Sequence, residues 1–273
     1  MTHAVARLRQ TRLAASTKPF NARGSSLVRC DGCRLPASHC VCAWRPTVPT
    51  RAGMCLLIGD IESLKPSNTG WLIADVVPDT WAFQWSRTET DPALLALLAD
   101  PQWQPYVVFP PEYAGPARAV TSVEPADAAG GGRRPLFVLL DGTWTEARKM
   151  FRKSPHLQAL PVLSLDPGHA STYRLRRSQF DHHFCTAEVA AMCLHMAGDE
   201  AAAAAQSCTR RAPGDEKKGA PGGALCGASA DRPWAGQAWR RRRRPSRPRP
   251  AIIMPTVAGS GTAAALRTRK VSA

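Results

Sequence analysis

The sequence predicts an α/β fold in which helices cover a mostly parallel β-sheet. Two observations favour this class. Short apolar runs of strand length alternate with segments whose apolar residues recur every three or four positions, as on a buried helix face. Gly, Pro, Asp or Asn separates these segments, as expected for turns. The chain has 273 residues, of which 44% are apolar and 21% are charged, so it has enough apolar residues for a sizeable core.

The predicted elements alternate along the chain. Strands are expected at residues 53–59, 82–86, 106–109, 136–140 and 162–165. Helices are expected from about Thr69 and at residues 93–98, 145–153 and 186–196. In such a fold the ligand crevice lies at the carboxyl ends of the strands. No apolar stretch approaches the ~18 residues that cross a bilayer, so we expect a soluble, cytoplasmic protein with no membrane partner.

Charge is distributed unevenly along the chain. The formal net charge is +15, but residues 201–273 hold 15 basic and 3 acidic residues, which leaves +3 for the first 200. The first 30 residues carry six basic side chains and no acid. We therefore expect contact with a polyanion at both ends of the chain. A transit peptide is the alternative for the N-terminal segment.

The C-terminal tail differs in composition from the rest of the chain. It is rich in Ala, Arg, Pro and Gly and lacks periodicity, so we expect residues 206–273 to be disordered. The arginine run 240–244 is interpreted as a solvated charge run or as a phosphate-binding arm. The tail also has the composition of a GC-rich gene read out of frame. Three regions are thus predicted: 1–50, 51–205 and 206–273.

Four cysteines lie within thirteen residues near the N-terminus, in the pattern C-x2-C-x6-C-x1-C: Cys30, Cys33, Cys40 and Cys42. Four thiolates at this spacing suit one tetrahedral Zn²⁺ in a closed structural site, although the last pair is closer than usual. Two disulfides are the alternative, but no secretory signal indicates an oxidising compartment. His39 lies among the cysteines and either replaces one ligand or faces solvent.

A second chemical element follows the apolar run 135–140. The run ends in Asp141-Gly142-Thr143-Trp144, after which a helix is expected to begin. An acid at the end of a buried strand, beside a glycine and a helix N-terminus, is typical of a ligand site in α/β folds. Asp141 is then placed for proton transfer. In the alternative interpretation Asp141 caps the helix and Trp144 fills the core.

From about Ala6 to Ala205 the chain resembles the DTW-domain family of tRNA-uridine aminocarboxypropyltransferases. It is most similar to the bacterial branch that modifies a uridine in the variable loop of tRNA. The resemblance rests on segments that occur in order, which are Ser16-Thr17-Lys18-Pro19-Phe20, the four-cysteine cluster, Lys65-Pro66-Ser67-Asn68-Thr69-Gly70, Phe83-Gln84-Trp85-Ser86-Arg87-Thr88, Asp141-Gly142-Thr143-Trp144, Tyr173-Arg174-Leu175-Arg176 and Cys185-Thr186-Ala187-Glu188.

The resemblance implies a SPOUT-like layered, knotted fold with a small N-terminal zinc module that helps to dock tRNA. It implies S-adenosylmethionine as donor and transfer of its 3-amino-3-carboxypropyl group to N3 of a uridine, which releases methylthioadenosine. Asp141 is the candidate acceptor of the N3 proton. Thr143 and Trp144 are expected to shape the pocket for donor or base, Trp144 by stacking. Neither a catalytic metal nor a DNA partner is expected.

Flanking motifs supply further candidate binding residues. Three of them lie in the loop before the second helix, where they hold a carboxylate or phosphate or only cap the helix: Ser67, Asn68 and Thr69. Arg176 is expected to clamp the donor carboxylate or an RNA phosphate, unless it is a surface charge. Thr186 and Glu188 open the last predicted helix and either contact the donor or cap that helix.

Two departures from the family pattern bear on activity. Trp71 replaces the arginine that usually follows Asn-Thr-Gly, which removes a cation from a loop expected to face donor or RNA. Family members also continue beyond Ala201 to Ala205 with a helix bearing aromatic and basic residues, which the tail replaces. The alternative functions are therefore a non-catalytic, zinc-stapled RNA-binding relic, or a SPOUT-type RNA methyltransferase that releases S-adenosylhomocysteine.

Overall fold

A six-stranded sheet organises the chain in the computed structural model, which describes residues 2–21, 27–124, 132–165 and 184–208. The strands are β1 (Gly53–Ile58), β2 (Thr80–Gln84), β3 (Trp103–Val108), β4 (Ala119–Val120), β5 (Arg134–Asp141) and β6 (Val162–Leu163). They lie in the order β2-β1-β5-β3-β6-β4, and every pairing is parallel. The predicted α/β class with a parallel sheet is therefore confirmed.

Helices cover both faces of the sheet. They are α1 (Ala4–Ala14), α2 (Gly70–Val76), α3 (Pro92–Ala99), α4 (Trp144–Lys153), α5 (Thr186–Met196) and α6 (Glu200–Cys208). Along β5, Phe137 and Leu139 join the core under α1, α2, α5 and α6, whereas Leu136 and Val138 join the core under α3 and α4. Because both faces are covered, every residue of β1 is buried, as is typical of parallel strands.

Local sequence signals set the ends of several helices. Asp91 caps α3 by accepting a hydrogen bond from the backbone N–H of Ala93, and Pro92 occupies the first turn, where its missing N–H is harmless. Helix α5 has the predicted bounds, 186–196. Strand β2 ends at Gln84, two residues before its predicted end, although the backbone N–H of Trp85 still donates to Ile58 O of β1 over 2.8 Å.

Two helices differ from what the sequence pattern predicts. Helix α1 is not predicted, because its arginines interrupt the apolar stripe and only its first three residues, Ala4 to Ala6, are buried. Helix α6 runs on to Cys208, and Gln206 within it is fully buried. The helix thus extends past the predicted boundary at residue 206, since the high helix propensity of the alanine run carries it further, and the disorder of the tail stays a prediction. Residues 209–273 lie outside the described residues.

Two further parts of the prediction, the knot and the division at residue 50, are not tested by the structure. The knot depends on the path of residues 166–183, which lie outside the described residues, so it stays a prediction. The division at residue 50 also stays a prediction, because the described residues of both regions fall in one compact unit, residues 1–226. Among the described helices, none is both long enough and apolar enough to cross a bilayer.

Candidate functional site at the carboxyl edge of the sheet

Asp141 ends β5, between β1 and β3, at the carboxyl edge of the sheet. Its side chain is 2% exposed. Asn68 Nδ2 donates a hydrogen bond to Oδ2 over 2.6 Å, and Thr186 Oγ1 donates one to Oδ1 over 2.6 Å. The two donors lie before α2 and at the first position of α5. Three predicted site residues from separate segments therefore meet at one buried carboxylate.

Gly70 allows this close approach. A Cβ at Gly70 would lie 2.8 Å from Asp141 Oδ2 and 3.2 Å from Asn68 Oδ1, so any larger residue would displace the pair. Asn68 Oδ1 accepts a hydrogen bond from the backbone N–H of Trp71 over 3.1 Å, which fixes the amide with its NH2 group towards Asp141. Asn68 thus both caps α2 and orients Asp141. Thr69 is buried and its side chain makes no capping hydrogen bond.

The N-terminus of α4 is capped by Thr143 and not by Asp141. Glu146 N donates to Thr143 Oγ1 over 3.4 Å, and Thr143 N donates to Glu146 Oε2 over 2.8 Å, which together form a capping box. The interpretation of Asp141 as a helix cap is therefore wrong. Thr143 is exposed, and its predicted contact with donor or base stays a prediction.

Trp144 belongs to an aromatic cluster at the same edge. Its ring stacks on Phe109 with centroids 5.4 Å apart and meets Tyr113 edge-on at 6.0 Å, while Phe109 stacks on Phe151 at 4.5 Å. Trp144 remains 36% exposed, so it is only partly a core residue. Phe109 and Tyr113 are not among the predicted site residues, although they follow β3 and therefore reach the carboxyl edge as Asp141 does.

The remaining candidate binding residues have different surroundings. Glu188 is 4% exposed, and its Oε2 accepts a hydrogen bond from the backbone N–H of Cys185 over 2.9 Å, so it caps α5 from inside the protein. Ser67 is partly buried beside Asn68. Arg176 lies outside the described residues. Contact of these residues with a donor stays a prediction.

Cys30, Cys33, Cys40 and Cys42 come together as the sequence pattern predicts. Their four Sγ atoms lie within 4.8 Å of one another, and these cysteines form a group that can hold a metal ion such as zinc. A Cβ at Gly32 would lie 2.6 Å from Cys42 Sγ, so the loop closes only with glycine there. Tetrahedral coordination at a Zn–S distance of about 2.3 Å places the sulfurs slightly under 4 Å apart, which fits this group.

The alternatives for these cysteines are less consistent with the geometry. Sγ of Cys30 lies 3.5 Å from that of Cys42 and 3.4 Å from that of Cys40, beyond a disulfide bond of about 2.05 Å. His39 is exposed, and its Nδ1 is 2.8 Å from Ser38 Oγ. The backbone N–H of Cys33, then the Cys40 thiol, lowers the pKa of Cys30 to about 6, whereas burial, then the contact with Cys30, raises the pKa of Cys42 to about 12.

Trp71 joins the four-cysteine loop to α2. It lies in the first turn of α2 with 5% of its surface exposed, and its Nε1 donates a hydrogen bond to Gly32 O over 3.1 Å. Arg45 crosses the same junction, because it donates to Gly32 O over 3.1 Å and to Asp75 Oδ1 over 2.5 Å. The expectation that position 71 lies in a loop facing donor or RNA is therefore wrong. Its side chain is part of the packing between two segments.

We expect Trp71→Phe to lower the free energy of unfolding by about 1 kcal/mol, because it removes one hydrogen bond while Arg45 still satisfies Gly32 O. Trp71→Ala should cost about 3–5 kcal/mol through the cavity that it leaves. Urea unfolding measures both. Trp44→Phe, at a site 67% exposed, is the matched control and should stay within about 0.5 kcal/mol of the parent. Equal effects at positions 44 and 71 would contradict this junction.

Comparison with known proteins gives a match to a family model. No solved structure matches the chain. A family model, that of the DTW domain, matches residues 27–210, about two thirds of the sequence. The match takes in the four-cysteine group, the Asn68 loop, Asp141 and Thr186, and a DTW domain is consistent with tRNA-modifying activity and an RNA substrate. The segments that converge on Asp141 are thus parts of one conserved domain type, and the chain belongs to the DTW-domain family.

Proposed function

We propose that this protein transfers the 3-amino-3-carboxypropyl group of S-adenosylmethionine to N3 of a tRNA uridine in the cytoplasm and releases methylthioadenosine. The observation that carries the proposal is the buried carboxylate of Asp141, held at the carboxyl edge by two donors from separate segments. Open α/β sheets bind their ligands at this edge. Membership of the DTW-domain family supports RNA modification as the reaction class.

In the proposed reaction Asp141 receives the N3 proton of uridine. A bond forms between N3 and the methylene carbon through which the transferred group is attached to sulfur, the carbon–sulfur bond breaks, and the sulfur leaves as an uncharged thioether. S-adenosylmethionine supplies the electrophilic carbon and the sulfonium leaving group. Asn68 and Thr186 hold the carboxylate in one orientation, so the acceptor is positioned before the substrates arrive.

Trp144 is proposed to stack on the uridine base or on adenine. The ring is partly exposed and is supported from below by Phe109, which itself stacks on Phe151. A rigid, half-exposed ring of this kind suits base stacking. Thr143 and the remaining predicted donor contacts complete the proposed binding set: Ser67, Thr69, Glu188 and Arg176.

The four cysteines would hold a structural zinc ion. Their spacing, their mutual distances and the glycine at position 32 fit a closed tetrahedral site with no open position for a substrate. The zinc would stabilise the N-terminal segment and takes no part in the transfer. The SPOUT-type knot and the separation into an N-terminal module, a transferase domain and a tail belong to the same proposal, and the all-parallel sheet is compatible with it.

A single-turnover assay tests the reaction. The full chain is mixed with unmodified tRNA and labelled S-adenosylmethionine, and nucleosides and thioether are analysed by mass. Aminocarboxypropyluridine together with methylthioadenosine is the expected result. S-adenosylhomocysteine with a methylated nucleoside would replace the proposal with an RNA methyltransferase. No product from a chain that retains zinc and binds tRNA would identify it as a non-catalytic RNA-binding protein.

A further inference from the structure

A cavity of about 250 Å³ lies beside α1 and the four-cysteine loop and is separate from the Asp141 site. Three arginines line it: Arg9, Arg29 and Arg34. The walls also include Phe20, Leu64 and Pro66, and none of the residues described as lining it is acidic. We refer to it as the arginine cavity. Its volume accommodates a group of several heavy atoms, since a water molecule occupies about 30 Å³ in the liquid.

The guanidinium groups of the arginine cavity have few hydrogen-bond acceptors and negative charges near them. Nε of Arg9 and Nε of Arg29 are buried and have no hydrogen-bond partner within the described part of the chain. Arg34 forms an ion pair with Asp31 at 3.9 Å, but that carboxylate is fully exposed, so water weakens the pair. Burial, then the charge of Arg34, lowers the pKa of Arg9. The charge of Asp31 acts against that decrease, so the cavity has a solvent-exposed carboxylate near its positive charges and two buried Nε atoms that lack a partner among the described residues.

The backbone at Arg34 has an unusual conformation. Its φ is 63°, the left-handed region, where glycine is favoured and arginine is uncommon. The residue lies one position after Cys33, and its N–H donates to Cys30 O over 2.9 Å as the loop turns. The backbone of Arg34 thus adopts a conformation that arginine disfavours, and its side chain lines the cavity.

We propose that the arginine cavity binds a phosphodiester group of the RNA substrate. Guanidinium groups bind phosphate oxygens through paired N–H donors, and Phe20 offers a ring beside them for a base. The proposal rests on the proposed function for the identity of the RNA. Pro66 on the cavity wall is two residues from Asn68, at most about 7 Å of chain, so RNA held in the cavity passes close to the Asp141 site.

Two variants and one control test the arginine cavity. Arg9→Gln and Arg34→Gly each remove one guanidinium, and Arg34→Gly also relieves the backbone. Arg152→Gln on the exposed surface of α4 makes the same change in net charge away from the cavity. Binding of full-length tRNA is measured over a range of salt concentrations without S-adenosylmethionine, and thermal unfolding is followed for each protein. Inorganic phosphate is titrated separately as a competitor.

We expect each cavity variant to weaken tRNA binding about 10- to 100-fold and to reduce the salt slope by about one. The melting temperature should stay unchanged or rise, because like charges are removed, and Arg152→Gln should bind as the parent does. Variants that bind tRNA like Arg152→Gln, or that lose binding only with a lower melting temperature, would overturn the proposal. Micromolar inorganic phosphate that competes with tRNA would instead identify a free-anion site and overturn it too.

The outcomes separate this proposal from the proposed reaction. A parent chain that binds tRNA through the arginine cavity but forms no aminocarboxypropyluridine would contradict the reaction and support the cavity. Product formation by both cavity variants at the parent rate under subsaturating tRNA would contradict the cavity and support the reaction.

Discussion

Asp141→Asn is expected to lower single-turnover transfer by about 100-fold or more, the usual contribution of a positioned proton acceptor. The substitution is well matched to the site. Asn68 must keep its NH2 group towards position 141, because its Oδ1 is engaged by the N–H of Trp71. The new amide therefore presents its oxygen to Asn68 and its NH2 to Thr186, whose hydroxyl rotates to accept. The shape of the side chain and its hydrogen bonds with Asn68 and Thr186 are retained, and the negative charge is lost.

The measurement is the transfer rate at saturating donor and tRNA, with donor affinity determined separately. We expect donor affinity to change little. Thr186→Val removes one of the two donors to Asp141 and should reduce the rate less, since Asn68 still orients the carboxylate. Asp91→Asn makes the same chemical change at the cap of α3, where Asn caps as well as Asp, and should react like the parent. An Asp141→Asn rate within a few-fold of the parent would refute Asp141 as proton acceptor.

Metal removal is expected to lower the stability of the protein strongly. A ligand present at 1,000 times its dissociation constant stabilises the folded state by about 4 kcal/mol. For a domain of this size that loss lowers the melting temperature by roughly 8–16 °C. Chelation of the purified protein should therefore produce such a decrease, and zinc but not magnesium should restore the original value, because thiolates are soft ligands.

Cys30→Ser gives the genetic form of the same experiment. Cys30 lies within 3.5 Å of two of the other sulfurs, so its loss should abolish tight binding of the metal and lower the melting temperature. Cys185→Ser is the matched control, because serine is a favourable residue at the N-cap of α5. One metal ion per chain in the parent and in Cys185→Ser, and less in Cys30→Ser, is the expected count by elemental analysis. An unchanged melting temperature after complete chelation would contradict a structural metal.

Local patterns predict the parts of the site that depend on short stretches of sequence. The apolar run before Asp141 predicts both the buried strand and the acid at its end, because a parallel strand buried on both faces needs continuous apolar residues. The spacing of the cysteines predicts their convergence, since thirteen residues with a glycine and a proline can turn back on themselves. For these cysteines, a short connecting chain is enough to bring the sulfurs together.

Contacts between distant segments are not predictable from such patterns. The sequence does not show that Trp71 contacts Gly32, 39 residues earlier. From the sequence alone, Trp71 is interpreted only as the replacement of an arginine that the family usually has at this position. The sequence likewise does not show that Arg9 on α1 lines the same cavity as Arg34, because α1 has no clear apolar stripe to indicate its orientation. Both depend on how separate elements pack, which the period of one element does not determine.

The contacts of Trp71 link the four-cysteine group to Asp141 through Asn68. The indole N–H of Trp71 donates a hydrogen bond to Gly32 O in the four-cysteine loop, and its backbone N–H donates one to Asn68 Oδ1. Asn68 Nδ2 in turn donates to Asp141 Oδ2. Two ligands that favour the same arrangement of these groups must favour each other by equal free energies. Under the proposed function, a zinc ion held by the cysteines and substrates bound beside Asp141 would both favour these contacts of Trp71 and Asn68, so removal of the metal would weaken substrate binding.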